Sequence, residues 1–119
     1  MLKIRKRSGE EVLFDRSKIE RAIEKANASV SIPERLDRDI IAGIALSIEN
    51  ACSNMKTIPT VESVQDMVEY AIAKAGAYRL AKNYAVYRYQ HELMRKANTT
   101  DDKILAILHR SSADAKEEN

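Results

Sequence analysis

An apolar series at helical spacing, Leu36, Ile40, Ile41, Ile44, Ile48, Cys52 and Met55, constrains this chain more than any other feature. Residues three and four apart fall on one side of a helix, and so broad an apolar side is satisfied only by burial. The other elements must therefore wrap around this helix. Pro33 suits its first position, where a missing N–H costs nothing, and the helix fades at Ser53-Asn54. Gly43 sits mid-helix, where glycine costs about 1 kcal/mol relative to alanine; close packing of a neighbour is the expected compensation.

The partners of that helix are legible on either side of it. Leu2–Arg7 alternates apolar and basic, Ser8-Gly9 follows, and Val12-Leu13-Phe14 forms a second β-prone run, a pattern that predicts a hairpin. Two strands alone are marginal, so the hairpin must lean on helices. Asp15 reads as a helix cap, followed at helical spacing by Ile19, Ala22, Ile23 and Ala26. Ile58-Pro59 is at most a very short edge strand or turn, because proline cannot donate to a ladder. Thr60 caps a third helix bearing Val61, Val64, Val68, Ala71 and Ile72, and Gly76 ends it. A fourth helix begins near Ala77 and presents Leu80, Ala81, Tyr84, Tyr87 and Met94. Thr99-Thr100-Asp101-Asp102 predicts a fresh cap for a short helix carrying Ile104, Leu105, Ile107 and Leu108; from Ser111 the chain is polar and expected to be disordered. The expected fold is α+β and mostly α: a hairpin, with Ile58-Pro59 as a candidate third strand, over four helices, plus a short C-terminal helix. Residues 1–95 form the domain and 96–119 a linker, short helix and tail.

Composition narrows what such a domain can do. A net charge of +2 is too small for a general nucleic-acid binder, so any role for the cations is local. The single cysteine, Cys52, permits neither an internal disulfide nor a cysteine zinc site, and reads as a buried thiol. No stretch has the length and apolarity of a membrane span or a signal peptide. The chain reads as cytoplasmic.

No catalytic or metal-binding constellation appears. His91 and His109 are far apart, and His91 reads as a packing residue. The five tyrosines, 70, 78, 84, 87 and 89, read mostly as amphipathic core. No phosphate-binding G-x-x-x-x-G-K-[ST] loop is present. The one cluster with chemistry is Lys3, Arg5, Lys6 and Arg7, followed at once by Ser8-Gly9. A polyphosphate site needs several cations and a backbone that permits close approach; the competing reading is a solvated edge strand whose charges oppose aggregation. Lys18 adds a cation at a helix N-terminus, which itself favours anions, and Arg79, Lys82 and Arg88 lie on the fourth helix.

Three stretches taken together resemble the ATP-cone family. Lys6-Arg7-Ser8-Gly9 with Phe14-Asp15 and Lys18-Ile19 is similar to the family's opening, Val61–Glu69 to its second motif, and Ala81–Arg88 to its third, in the same order and spacing over residues 2–90. The resemblance implies a small α+β domain with a β-lid over a helical bundle, which binds ATP or dATP with Mg2+ and sets the activity of a ribonucleotide reductase. ATP would permit turnover and dATP would stop it. By motif, Ile4 and Ile19 would pack near the base, and Lys6, Arg7 and Lys18 would meet phosphates. Gly9 would allow the lid turn, Val61 and Gln65 would line the nucleoside side, and Lys82 and Arg88 would add charge. Ser8 departs from the family's frequent Asp before the glycine, which weakens the turn signal.

The implied partners are the catalytic body of the reductase and further copies of the cone, with no membrane. The chain itself would be regulatory and not an enzyme. Asn98–Asp102 and Glu117-Glu118-Asn119 resemble the joining segment of the anaerobic, glycyl-radical reductases, which would make the chain a fragment of one. Two alternatives stand beside this reading. One is a basic nucleic-acid-binding module. The other is the family's transcriptional repressor, which the presence of only one cysteine disfavours because that protein carries a four-cysteine zinc ribbon.

Overall fold

The computed structural model describes residues 1–111, with side chains described through residue 97. Strands β1 (Lys3–Arg5) and β2 (Glu11–Leu13) are followed by α1 (Arg16–Asn27), a 3-10 turn (Ile32–Glu34), α2 (Arg38–Ser53), α3 (Val61–Lys74) and α4 (Tyr78–Ser111). The architecture is α+β and mostly helical, as expected. The chain separates into two compact units, Met1–Tyr87 and Arg88–Asn119.

In the first unit α2 packs against both α1 and α3. Its inward residues are Ile41, Ile44, Ala45, Ile48 and Cys52, and they meet Ile23 of α1, Ile72 of α3 and Leu80 of α4, all three fully buried. The inward arc is narrower than the sequence implied. Ile40 and Met55 are 44% and 39% exposed, the first because it falls on the flank of the helix, the second because the helix has ended at Ser53. Cys52 is buried as expected, and burial pushes its thiol pKa up, away from the reactive thiolate.

The start of α2 also differs. Pro33 lies in the 3-10 turn, closed by the Arg35 N–H donating to the Ile32 carbonyl at 3.1 Å. The chain then runs extended, and Asn27 pins Leu36 by accepting its N–H at 2.9 Å and donating to its carbonyl at 3.0 Å. A proline is as well suited to a tight turn as to a helix start, so the signal was real and its assignment wrong.

Gly43 is exposed, and a Cβ built on it would meet nothing within 4 Å. Among the described residues the expected close packing is absent. Gly43→Ala should therefore stabilise the domain by about 1 kcal/mol, read as a rise in Tm of about 4 °C.

The caps of α1 and α3 are as the sequence predicts. Asp15 accepts from the Ser17 N–H at 3.0 Å, and Thr60 and Ser63 form a reciprocal capping box. After α3, Gly76 adopts φ +87. Its N–H donates to Ala73 and that of Ala77 to Ile72, the paired bonds of a Schellman turn. This turn starts α4 with Leu80, Ala81 and Tyr84 facing the core.

The hairpin pairs Ile4 with Val12 and Arg5 with Glu11. Its loop is Arg7-Ser8-Gly9, three residues with Gly9 at φ +91. Such a loop asks for glycine only at its last position, so the lack of Asp before Gly9 carries no penalty of the kind expected of a two-residue turn. Ser8 Oγ accepts from the Glu10 N–H at 3.4 Å. Leu2, Ile4 and Phe14 lean on the core, and the Arg5 N–H donates to the Pro59 carbonyl at 2.9 Å. Only an isolated parallel bridge, Arg5 to Thr60, represents the candidate third strand. Pro59 serves there as an acceptor, the role its missing N–H leaves open.

The second unit begins at Arg88 on α4, which continues unbroken to Ser111. The separate short helix expected after Thr99–Asp102 is thus a continuation of α4. Threonine and aspartate are poor but tolerated helix residues, and no glycine or proline follows Gly76 to end the helix. The side chains of Ile104, Leu105, Ile107 and Leu108, and the expected tail, lie outside the described residues. His91 is exposed rather than packed. Of the tyrosines only Tyr84 is buried; Tyr87 is half-buried, and Tyr70, Tyr78 and Tyr89 are 68%, 73% and 61% exposed. Their helical spacing marked a face, but the core in the first unit ends near Tyr84. Among the described residues no helix is long and apolar enough to cross a membrane.

Candidate functional site

A cavity of about 450 Å3 opens between the hairpin, α1, α3 and Tyr84 of α4. That volume falls within the range of small-molecule sites. Each wall has a local cause. The β pairing points Ile4, Val12 and Phe14 inward from the hairpin, the Asp15 cap starts α1 so that Lys18, Ile19 and Ala22 face the space, and the Thr60 capping box starts α3 with Val61 and Gln65 on the same side. Val64 and Val68 complete the floor. Most of the lining is apolar, with Lys6 and Lys18, both exposed, as its cations.

Ile4, Lys6, Lys18, Ile19, Val61 and Gln65 therefore line one space. The remaining candidates lie elsewhere. Gly9 forms the hairpin turn, and Arg7, at its tip, pairs with Glu62 of α3 at 3.6 Å. Lys82 lines a separate cavity with Asp66, Glu69 and Tyr70. Arg88 is half-buried on α4 and belongs to the second unit.

Phe14, Asp15 and Tyr84 line the cavity without having been assigned a role from sequence. The alternation of Val12 and Phe14 puts both on the face of Ile4, and Tyr84 lies one turn beyond Leu80; those periodicities were the available signals. Asp15 is the only carboxylate in the wall. The Ser17 hydroxyl, donating at 2.6 Å, holds its pKa below the usual 3.8, so it is anionic at neutral pH. It also occupies the Ser17 N–H at the start of α1, so this end of the helix is already met by an anion.

Two further features bear on chemistry. Gln65 Oε1 is buried with no hydrogen-bond partner, alone among the described buried side-chain oxygens and nitrogens. An unmet buried acceptor costs about 1–3 kcal/mol, which a bound donor would recover. The hairpin cations are also partly compensated: Arg5 pairs with Glu11 at 2.9 Å, Lys6 with Glu10 at 3.6 Å, and Arg7 with Glu62. Among the described residues no three side chains of metal-ligating type gather in one place.

Comparison with known proteins shows the family. The family model described as ATP cone domain matches residues 2–93. The chain is 31% identical over 112 residues to the ribonucleoside-diphosphate reductase subunit alpha of Chlamydia muridarum, covering 87% of this chain and 11% of that protein. It is 33% identical over 95 residues to the vitamin B12-dependent ribonucleoside-diphosphate reductase of Mycobacterium tuberculosis, covering 80% of this chain and 13% of that protein. The chain thus spans only about a tenth of the length of these relatives. The matched segment contains the hairpin, the whole of α1, α2 and α3 and the first half of α4, and the chain belongs to the ATP-cone family.

Proposed function

We propose that this chain is an allosteric regulatory domain that binds ATP or dATP in the cavity between hairpin, α1 and α3, and thereby controls a ribonucleotide reductase. The observation that carries the reading is the cavity itself, with apolar walls sized for a nucleoside and two exposed lysines beside it. The base would lie against Ile4, Phe14 and Ile19, and the phosphates would meet Lys6 and Lys18. The exocyclic amine of adenine is a donor suited to Gln65, whereas guanine carries a carbonyl oxygen at that position. A magnesium ion would arrive on the phosphates and keep water ligands, as that ion commonly does. Lys82 and Arg88 would contribute positive potential from α4 rather than direct contact at this cavity.

Regulation requires that the nucleotide bind two states unequally. A coupling of about 1–3 kcal/mol is typical. The readout we favour is a change of assembly through cone contacts, supported by Tyr89, Leu93 and Met94, which α4 exposes in the second unit. Residues 1–95 would hold the nucleotide and 96–119 would join to the catalytic body, in the cytoplasm. The resemblance of Asn98–Asp102 and Glu117-Glu118-Asn119 to the joining segment of anaerobic reductases supports that class as the parent, and the relatives above are a ribonucleoside-diphosphate reductase subunit alpha and a vitamin B12-dependent ribonucleoside-diphosphate reductase.

Thermal unfolding in magnesium with ATP, dATP, GTP or buffer tests binding. A ligand at about 100 times its Kd adds about 2.7 kcal/mol, roughly 10 °C for a domain of this size. ATP and dATP should give that shift and GTP should not; no shift with any of them would refute the reading. Solution mass with ATP and with dATP tests the readout, and one mass in both states would count against assembly.

A further inference from the structure

Arg7 and Glu62 join the tip of the hairpin to the first turn of α3, at 3.6 Å, with side chains 33% and 43% exposed. The pair joins two elements that both line the cavity. Lys6, the neighbour of Arg7, lines the cavity, and so does Val61, the neighbour of Glu62. Arg7 itself is not among the lining residues and pairs with the carboxylate. From this the geometry points to Glu62 as a resident competitor of the bound nucleotide's phosphates: it holds Arg7 when no nucleotide is present and gives it up when a polyphosphate binds. The inference rests on the nucleotide reading above and adds a residue that sets affinity and links the lid to α3.

The physical argument is one of exchange. A guanidinium makes shorter, bidentate bonds to phosphate than to a carboxylate 3.6 Å away. A polyphosphate beside Lys6 would also place its negative charge near Glu62, and like charges repel. Binding therefore favours the arrangement in which Arg7 leaves Glu62. The main-chain tie between Arg5 and Pro59, at 2.9 Å, holds the base of the hairpin near α3 while its tip moves. The pair is half-exposed and hence weak, which suits a contact that must break on binding.

Glu62→Gln keeps the shape and removes the competing charge. Measured by calorimetric titration of the whole chain with ATP, this variant should bind about twofold to fivefold more tightly than the unsubstituted chain, the span that an exposed pair allows. Glu24→Gln, which removes the same charge from an exposed position of α1, should leave affinity unchanged. In an Arg7→Gln background, Glu62→Gln should give a smaller gain, because no guanidinium remains to be contested. A melting curve without nucleotide verifies that each variant folds. Unchanged or weaker binding by Glu62→Gln would overturn the inference, as would a full gain in the Arg7→Gln background, which would mean plain repulsion. Absence of ATP binding to the unsubstituted chain would instead remove the functional reading on which it rests.

Discussion

Replacing Lys6 and Lys18 together by alanine is expected to weaken ATP binding by about 30- to 100-fold. Each lysine would contribute one charge-assisted hydrogen bond to phosphate, and such bonds are worth about 1.5–3 kcal/mol. Both side chains are exposed, which places them at the lower end, about tenfold each. They would serve neighbouring phosphate oxygens, so their effects need not add fully. The loss should fall on the phosphates and not on the fold, because neither lysine contributes to the core. Calorimetric titration with ATP gives the affinity, and the melting temperature without nucleotide should be unchanged. Lys82→Ala, in the separate cavity beside Asp66 and Tyr70, should change affinity by no more than about twofold. Equal losses from Lys82 and from Lys6 would move the phosphates to a different face of the domain.

Ile72→Ala should have the largest effect on stability. Ile72 is fully buried, lies on α3 two turns beyond Val64, and receives the Ala77 N–H on its carbonyl at the turn into α4. Removing its three outer carbons deletes apolar burial and leaves a void that the surrounding helices close only in part. Such changes cost about 2–5 kcal/mol, a large share of the roughly 5–15 kcal/mol that stabilises a domain. Chemical denaturation should show a fall of about 3 kcal/mol, with a drop in Tm of more than about 10 °C. Tyr70→Ala, on the exposed side of the same helix, should stay within about 0.5 kcal/mol. If the two substitutions cost the same, the assignment of the inward face of α3 would be wrong.

The parts of this fold that were legible in the sequence are those fixed by local chemistry. Asp15 and Thr60 cap helices because a short oxygen-bearing side chain reaches the free N–H groups of the next turn. Gly76 ends α3 because its positive φ suits the Schellman turn. Val64, Val68 and Ile72 were identified by spacing alone, and all three are buried. The misreadings came where one residue type serves two structures. Pro33 fits a 3-10 turn as well as a helix start. Thr99–Asp102 can cap a helix or lie within one. Gly43 signalled a close approach that none of the described residues makes. Burial of the tyrosines was over-read because periodicity identifies a face but not how far the core extends along a helix 34 residues long.

The candidate site was legible in a different way. Ile4, Lys6, Lys18, Ile19, Val61 and Gln65 come from three elements separated in sequence, and no spacing rule brings them together. Their grouping was implied by resemblance, and the cavity gathers them in space. What escaped sequence reasoning was the state of the charges. Arg7 points to Glu62, Asp15 is occupied by Ser17, and the buried oxygen of Gln65 is unmet. Such pairings depend on side-chain directions that only packed elements define.

The proposed function stands or falls with an adenine nucleotide held between hairpin and helices. Calorimetric titration of the 119-residue chain with ATP in magnesium, repeated with GTP and with the Lys6→Ala/Lys18→Ala variant, tests it most directly. ATP should bind saturably, GTP should bind much more weakly, and the variant should lose affinity for ATP. No saturable heat with ATP, or equal affinity for ATP in the variant and the unsubstituted chain, would contradict it.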